Sequence, residues 1–487
     1  MAGNFNPCHI FLLKYNTNHK YADNYKYLKK CKGDRFMAEV NREKLMVQYE
    51  KELEMFNETH KKSGELFQRA KGSLLQGVPM NWMTKWAGSY PVFVKEAKGA
   101  HFTDVDGNTY LDLCLGDTGS MIGHAPEPVV KAVSEYVKKG TTFMLPTEDG
   151  IWNSEELSRR FSMKYWQYAT SATDANRFAL RLSREVTGKC MVVVFNWCYH
   201  GTVDETVAVL DEETGLTVAK PGSLGPQCNP DITTRVIEWN DVEALEEALK
   251  KGDVACVLAE PVMTNCGIVH PLPGYHDKLR ELTKKYGAIL IIDETHTICA
   301  GVGGYTKANN LSPDMVVVGK TIAGGIPAAA YGFTEELGER VANKIPPELC
   351  DIGGIGGTLA ANALSMHTMK AVLSEVLTEE FYEKTIPLAK RFNEGVQSVI
   401  SKYDLPWNTT QLGCRTEYWF KREPAKNGGE AEAAVDFELD QYMHLASLNR
   451  GILMTPFHNM ALISQETTIE DIDHHTEVFE EIVKAII

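Results

Sequence analysis

The sequence predicts an α/β protein with a large domain built on a doubly wound, mainly parallel sheet and a smaller α+β domain formed from the two ends of the chain. Three observations predict it. Between about Tyr165 and Phe333, short β-branched apolar runs alternate with helical stretches, and the runs Val192–Phe195, Val254–Leu258, Ala288–Ile292 and Met315–Val318 are apolar throughout, as strands covered on both faces are. Chemically versatile pairs follow two of them, Asp293-Glu294 and Gly319-Lys320, at the carboxyl ends where open α/β sheets hold their ligands. The flanking segments follow other patterns, a hairpin signal before and charged helices with a lone strand after.

In chain order, residues Met1 to Phe36 are rich in Asn, Lys and Tyr and keep no period, which suits a disordered arm or translated leader sequence ahead of Met37. From Glu39 to Ala70 the pattern is helical, with Leu45, Tyr49, Leu53 and Phe56 near one-turn spacing, as for an arm on its own domain or on a partner subunit. Pro91–Val94 and His101–Val105 flank a turn, and Asp106-Gly107-Asn108 leads into Thr109–Leu113, a hairpin signal. Pro126–Lys139 reads as a helix with Pro in its first turn. Within the alternating region, Thr170-Ser171-Ala172-Thr173 precedes a helix whose apolar face is Ala175, Phe178, Ala179 and Leu182, and Tyr275–Lys285 is a second helix. Beyond it come helices over Leu359–Leu377 and Glu380–Lys402, a strand near Cys414–Phe420, and helices over Phe437–Asn449 and Ile469–Ile486. The expected division is 1–36 as an atypical arm, 37–124 as an N-terminal segment and part of the small domain, 125–378 as the large domain and 379–487 as the rest of the small domain.

Composition narrows the function. A chain of 487 residues with 44% apolar content has enough material for a large core and two or three domains. Its net charge of -15, from 65 acidic against 50 basic residues, comes with no basic block, so neither nucleic acid nor an anionic membrane is an expected partner and a small molecule is. No apolar run has the length of a membrane span and no secretory signal is present, so the expected location is cytoplasmic. The eleven cysteines include no CxxC pair and read as reduced core thiols; Cys198 and Cys299, which flank the candidate site, read as packing residues, and no metal site is expected.

Lys320 and Asp293 are a reagent pair. An amine in a partly dry site can form an imine with an aldehyde cofactor, and a carboxylate can keep a pyridine nitrogen protonated so that the ring accepts electrons, which is what pyridoxal phosphate requires. Taken alone, a solvated lysine and a helix-capping aspartate explain the same two residues. The hydroxyl-rich start of the helix after Thr170 suits a phosphate as well as an ordinary N-cap. Trp197-Cys198-Tyr199-His200-Gly201 places an aromatic ring near the same strand ends, and Glu260-Pro261 and Asn265 follow the strand Val254–Leu258.

From about Arg69 to the C-terminus the chain resembles a fold-type I pyridoxal phosphate-dependent enzyme of the class III aminotransferases, and within them is most similar to the glutamate-1-semialdehyde aminomutase branch. The motifs that carry the resemblance are Phe102-Thr103-Asp104-Val105-Asp106-Gly107-Asn108, Tyr199-His200-Gly201, Glu260-Pro261-Val262, Asp293-Glu294, Gly319-Lys320 and Gly357-Thr358, in the family's order. The resemblance implies pyridoxal 5'-phosphate as cofactor, with Lys320 forming the imine and shuttling the proton, and Asp293 holding the pyridinium. It implies Tyr199 stacked on the ring, Ala172 and Thr173 on the phosphate with help from Ser171, Asn265 near the phenolic oxygen, and Glu260 stiffening that network. Thr358 would reach the phosphate of a neighbouring subunit, so the expected assembly is a homodimer with shared active sites.

Departures from the family pattern bear on substrate. Counting back from Pro91, Trp82 stands where the aminomutases and related β-amino acid aminotransferases carry a carboxylate-gripping arginine, and no arginine lies between Met454 and Ser464, where amine:pyruvate aminotransferases have one. The leading expectation is therefore an aminotransferase that moves an amino group from an amine or a non-α (for example β-) amino acid to a keto acid such as pyruvate or 2-oxoglutarate. The alternatives are a glutamate-1-semialdehyde-type aminomutase or racemase, and a pyridoxal-binding protein without turnover. Arg415 is either an inward-facing carboxylate grip or an exposed strand residue paired with Glu417. Trp82, Trp86 and His458 line an aromatic substrate pocket or belong to the core. Thr295 replaces the apolar residue the family usually has beneath the ring, and His296 reads as a histidine that supports a site residue or packs in the core, rather than as a catalyst.

Overall fold

The computed structural model describes residues 39–225, 229–344, 353–456 and 458–487, so the expectations for the first 36 residues lie outside the described part. Seven strands make the central sheet: β1 (Tyr165–Ala169), β2 (Met191–Phe195), β3 (Thr234–Ile237), β4 (Val254–Ala259), β5 (Ile289–Asp293), β6 (Met315–Val318) and β7 (Ala329–Phe333). Their order across the sheet is β1-β7-β6-β5-β4-β2-β3. Only β7 runs against its two neighbours; the other pairings are parallel.

Alternate residues of β6 explain why its sequence is apolar without a break. Met315 and Val317 join the core on one face, with the helices Ala172–Thr187 and Tyr275–Tyr286, while Val316 and Val318 join the core on the other, with the helices Glu148–Phe161 and Ala363–Glu375. Both faces are covered, as a parallel sheet demands. The register sets Asp293, the last residue of β5, opposite Val317 of β6, so the chain leaving β6 reaches Lys320 just beyond the strand ends beside that carboxylate.

The smaller sheets join the two ends of the chain. Val94–Lys98, His101–Asp104 and Thr109–Asp112 form an antiparallel run whose last strand pairs in parallel with Ile452–Leu453. Asn408–Leu412, Arg415–Trp419 and Met460–Leu462 form a second, antiparallel sheet, with the helices Glu379–Lys402 and Ile469–Lys484 sharing its core.

Several elements differ from their sequence reading. The first hairpin strand is Val94–Lys98 rather than Pro91–Val94, since proline brings no N–H to a ladder. The helical stretch after Glu39 divides into Arg42–Thr59 and Lys61–Ala70 at His60, whose ring bridges Phe56 O (2.9 Å) and the Tyr110 hydroxyl (2.5 Å). The first of these lies on its own domain: Leu45 and Phe56 are buried, and Glu52 accepts from Arg450 (2.9 Å) and Asn449 (2.7 Å). The helix expected from Leu359 starts at Ala363, because the Asn362 side chain caps it by accepting from Ser365 N (2.9 Å). The helix Phe437–Asn449 has the bounds read from sequence. Among the described residues no helix is long and apolar enough to cross a membrane.

Candidate active site

Asp293 is buried at the end of β5, and its hydrogen bonds show what it is kept for. Oδ2 accepts from Asn176 Nδ2 (2.8 Å) and His200 Nδ1 (2.9 Å), and Oδ1 accepts from Thr295 N (3.0 Å). A carboxylate offers about four acceptor positions, so one on Oδ1 is left for a further donor. Burial pushes this acid up, but the His200 hydrogen bond and charge, with those from Thr295 and Asn176, outweigh it and bring Asp293 down to about 2. Burial lowers His200 in turn, yet the neighbouring Cys198 sulfur and Asp293 raise it to about 10. The site thus keeps an anion in the protein interior by pairing it with a histidine cation.

Lys320 follows β6 in the left-handed backbone region, with φ of 53°, a conformation a lysine holds only where its surroundings impose it. Its ammonium has three acceptors for three N–H groups: Asp117 O (2.8 Å), Asp117 Oδ2 (2.8 Å) and His296 Nε2 (2.5 Å). Asp117 comes from a turn after Thr109–Asp112 in which Leu115, Gly116, Asp117 and Thr118 all have positive φ (44°, 58°, 47° and 82°). For β-branched Thr118 this costs about 1–3 kcal/mol, and side-chain bonds hold the turn in place: Thr118 Oγ1 accepts from Arg415, and Asp117 is bound by Lys320. Burial opposes the charge on Asp117, and Lys320, His296 and Arg415 together keep it well below the usual carboxylate range.

The third component is the N-terminus of the helix Ala172–Thr187. Ser171 caps it, accepting from Asp174 N (3.2 Å), and Thr173 Oγ1 accepts from Thr202 N (3.2 Å). Gly201, at φ +80°, lies so close that a Cβ there would meet Thr173 Oγ1 at 2.1 Å, so only glycine lets the Tyr199–Gly201 segment close over this helix end. All three components line one cavity of about 350 Å³, with Tyr199, Glu260 and His296 in its wall. An aldehyde-reactive amine, a buried anion with one acceptor free and a helix N-terminus with its dipole around one cavity fit the aldehyde, ring nitrogen and phosphate of pyridoxal phosphate.

The sequence-predicted residues divide accordingly. Lys320, Asp293, Ser171, Ala172, Thr173, Tyr199 and Glu260 line the cavity. Asn265, half-buried after β4, does not, nor does Thr358, which is exposed. Trp82 is 39% exposed in the short turn Asn81–Lys85 and is also absent from the cavity wall. His458 is inside the protein but off the wall, 3.7 Å from Glu417 Oε1. Arg415 is fully buried, so it is not an exposed strand residue; Glu417 accepts instead from Ile268 N (2.6 Å), and the Arg415 guanidinium stands behind Asp117 and Thr118.

Of the two readings of His296, the packing one is corrected and the supporting one agrees with the structure, since the ring lines the cavity in contact with Lys320 Nζ. Asp117, Asn176 and Thr264 were not singled out by sequence. For Asp117 a signal existed: Leu115-Gly116-Asp117-Thr118-Gly119 is glycine-rich and directly follows a strand. Asn176 and Thr264 reach the site only through folding of distant segments. Glu294, by contrast, is structural, accepting from Thr297 Oγ1 (2.5 Å), Tyr305 N (3.1 Å) and Thr306 N (2.5 Å).

Fold and cavity together define a fold-type I enzyme that uses pyridoxal phosphate. A family model for class-III aminotransferases matches residues 82–486, and the chain belongs to that family. It is 34% identical over 432 residues to a glutamate-1-semialdehyde 2,1-aminomutase of Desulfitobacterium hafniense, covering 87% of this chain and 98% of the relative. Among solved structures, a glutamate-1-semialdehyde-aminomutase from Pseudomonas aeruginosa PAO1 superposes with a TM-score of 0.89 at 44% identity, over 92% of this chain and 100% of the other. An omega-transaminase from Sphaerobacter thermophilus gives 0.79 at 26% identity, over 87% and 97%. These likenesses favour the aminomutase alternative over the intermolecular transfer that the sequence reading placed first.

Proposed function

We propose that the protein is a pyridoxal phosphate-dependent aminomutase that shifts an amino group within one small carboxylate-bearing substrate, of the glutamate-1-semialdehyde type. The supporting observation is the near-complete overlap with the aminomutase structure at 44% identity, far above that with the transaminase. When bound, the cofactor supplies an aldehyde that captures amines and a ring that accepts the electron pair left by a departing proton. The chain does the rest. Asp293 holds the ring-nitrogen proton through its free acceptor position, the helix start at Ser171–Thr173 binds the phosphate, and Tyr199 covers the ring. Lys320 would carry the proton between the substrate carbon and the cofactor carbon that takes up the amino nitrogen, first in one direction and then back for the neighbouring substrate carbon, acting by position.

A second reading, transfer between an amine and a separate keto acid, is favoured by Trp82 at the arginine position and by Asp117 standing between Arg415 and Lys320. One assay decides. Holoenzyme given glutamate-1-semialdehyde is expected to turn it over with no keto acid present, and added pyruvate or 2-oxoglutarate should leave the rate unchanged. A rate that needs the keto acid would sink the aminomutase reading.

We further propose that the working unit is a homodimer. Phe143, Met144, Leu145, Ile151 and Leu359 are exposed apolar residues in one region, tied together by the bond from Leu364 N to Thr141 O (3.3 Å), and Thr358 stands among them. Met144→Glu with Leu145→Glu is expected to move the sedimentation coefficient from dimer to monomer and to weaken cofactor binding, since Thr358 would no longer reach the partner's phosphate.

A further inference from the structure

A chain of hydrogen bonds runs from Lys320 through His296 and Thr264 to Glu260, a buried carboxylate on another part of the cavity wall. Lys320 Nζ lies 2.5 Å from His296 Nε2, His296 Nδ1 lies 2.7 Å from Thr264 Oγ1, and Thr264 Oγ1 lies 2.5 Å from Glu260 Oε2. The donors can be ordered without ambiguity. The lysine ammonium can only donate, so Nε2 accepts; His296 then carries its proton on Nδ1 and donates to Thr264, whose hydroxyl donates to the Glu260 carboxylate. Burial, together with the Lys320 charge, holds His296 down at about 4, in keeping with a neutral ring, and burial raises Glu260. His296 is a departure in a cavity otherwise explained by cofactor binding, and Thr264 lies behind the cavity wall, where it joins His296 to Glu260.

We propose that His296, Thr264 and Glu260 form a proton relay through which Lys320 sheds its ammonium proton into the interior and becomes the free amine that captures an aldehyde. The transfer balances. One proton passes from Lys320 Nζ to His296 Nε2, the proton on Nδ1 passes to Thr264 Oγ1, and the hydroxyl proton passes to Glu260 Oε2. The ends change from ammonium and carboxylate to amine and carboxylic acid, while His296 is left neutral as its other tautomer and Thr264 as before. Net charge in the site is unchanged, and no proton crosses to solvent. His296, now protonated on Nε2, has Asp117 Oδ2 at 3.5 Å to receive its hydrogen bond, which frees the amine lone pair for the cavity. The other charged or titratable groups facing the relay are Asp117 and Arg415 behind Lys320, His458 beyond them, and Tyr199, His200, Cys266 and Asp293 on the Glu260 side. His296, Thr264 and Glu260 are positioning residues in this scheme, since Lys320 alone meets the aldehyde.

The inference rests on Lys320 being the cofactor-binding lysine, and its test separates the two. Cofactor-free full-length protein is mixed with pyridoxal phosphate from about pH 6 to about pH 8, the absorbance rise is timed, and borohydride trapping followed by peptide mass analysis locates the adduct. With the relay, internal transfer supplies the free amine at a pH-independent level. Thr264→Val cuts the chain, so Lys320 must lose its proton to water, and the variant-to-wild-type rate ratio should then fall about tenfold for each pH unit downward across that range. Taking the ratio cancels the reagent's own titration. Thr264→Ser keeps the hydroxyl and should restore the flat ratio, and His296→Phe should repeat the Thr264→Val slope. An adduct on Lys320 with a flat ratio for both Thr264→Val and His296→Phe would overturn the relay and leave the cofactor assignment standing. Absence of any adduct on Lys320 in the wild type would overturn that assignment, and the relay with it.

Discussion

Asp293→Asn is expected to lower turnover on the order of a thousandfold or more while leaving pyridoxal phosphate bound, because amide and acid are nearly the same shape but only the acid keeps a ring-nitrogen proton in place. The geometry fixes why the loss is large. Asp293 receives three hydrogen bonds and keeps one position open, and the positive His200 beside it holds the charge on the carboxylate rather than on water. A neutral amide cannot accept that role, and Glu260, the other carboxylate in the cavity wall, is already engaged by Thr264. Stability responds too, with a sign that can be worked out. Asp293 is lowered from 3.8 to about 2, so its contribution is present above the unfolded value and is lost as pH falls towards the folded one. His200 is raised from 6.5 to about 10, so its contribution is complete below the unfolded value and fades as pH climbs towards the folded one. The pair therefore stabilises most between those unfolded values. In the Asn variant His200 keeps the Cys198 sulfur but loses the Asp293 carboxylate, and the decline of melting temperature above about pH 6.5 should become shallower. An unchanged profile would mean that the two groups do not share charge in the native protein.

Much of this site was legible in the sequence because it follows from local rules. Apolar runs doubly covered by helices give the strands, and residues just past strand ends give Asp293 and Lys320. A hydroxyl-rich helix start gives Ser171 to Thr173. What stayed hidden depends on long-range closure. Asp117 meets Lys320 only because a left-handed turn from the start of the chain folds over the sheet ends. His296 carried no periodic signal, lying between Thr295 and Thr297 just past a strand end, yet in the fold its ring lines the cavity. Arg415 lies on a strand whose five residues are all buried, so period-two reasoning, which needs one wet face, could not tell which way it points.

That buried arginine gives the second large effect. Arg415 has no solvent exposure, donates to Thr118 Oγ1 and Met460 Sδ (2.7 Å), stands 3.7 Å from Asp117 Oδ1, and leaves its Nε–H without a partner. A guanidinium this poorly satisfied is a weak stabiliser, since desolvation opposes most of what its bonds return. Its position suggests a different use. We propose that, once Lys320 is engaged with the cofactor and Asp117 has lost its nearer cation, a substrate carboxylate displaces Asp117, which like Arg415 stands behind the cavity wall, and takes its place on the arginine. Arg415→Met keeps an apolar side chain of similar length beside Met460 and Cys414. It is expected to raise KM for a carboxylate-bearing substrate roughly ten- to a hundredfold, the equivalent of about 1.5–3 kcal/mol for a charge-assisted contact. It should change kcat little and leave the melting temperature within a few degrees of wild type. An amine lacking the carboxylate should show no such change. A variant that unfolds early yet keeps its KM would instead make Arg415 a strut for the Asp117 turn, and the carboxylate would have to be held elsewhere.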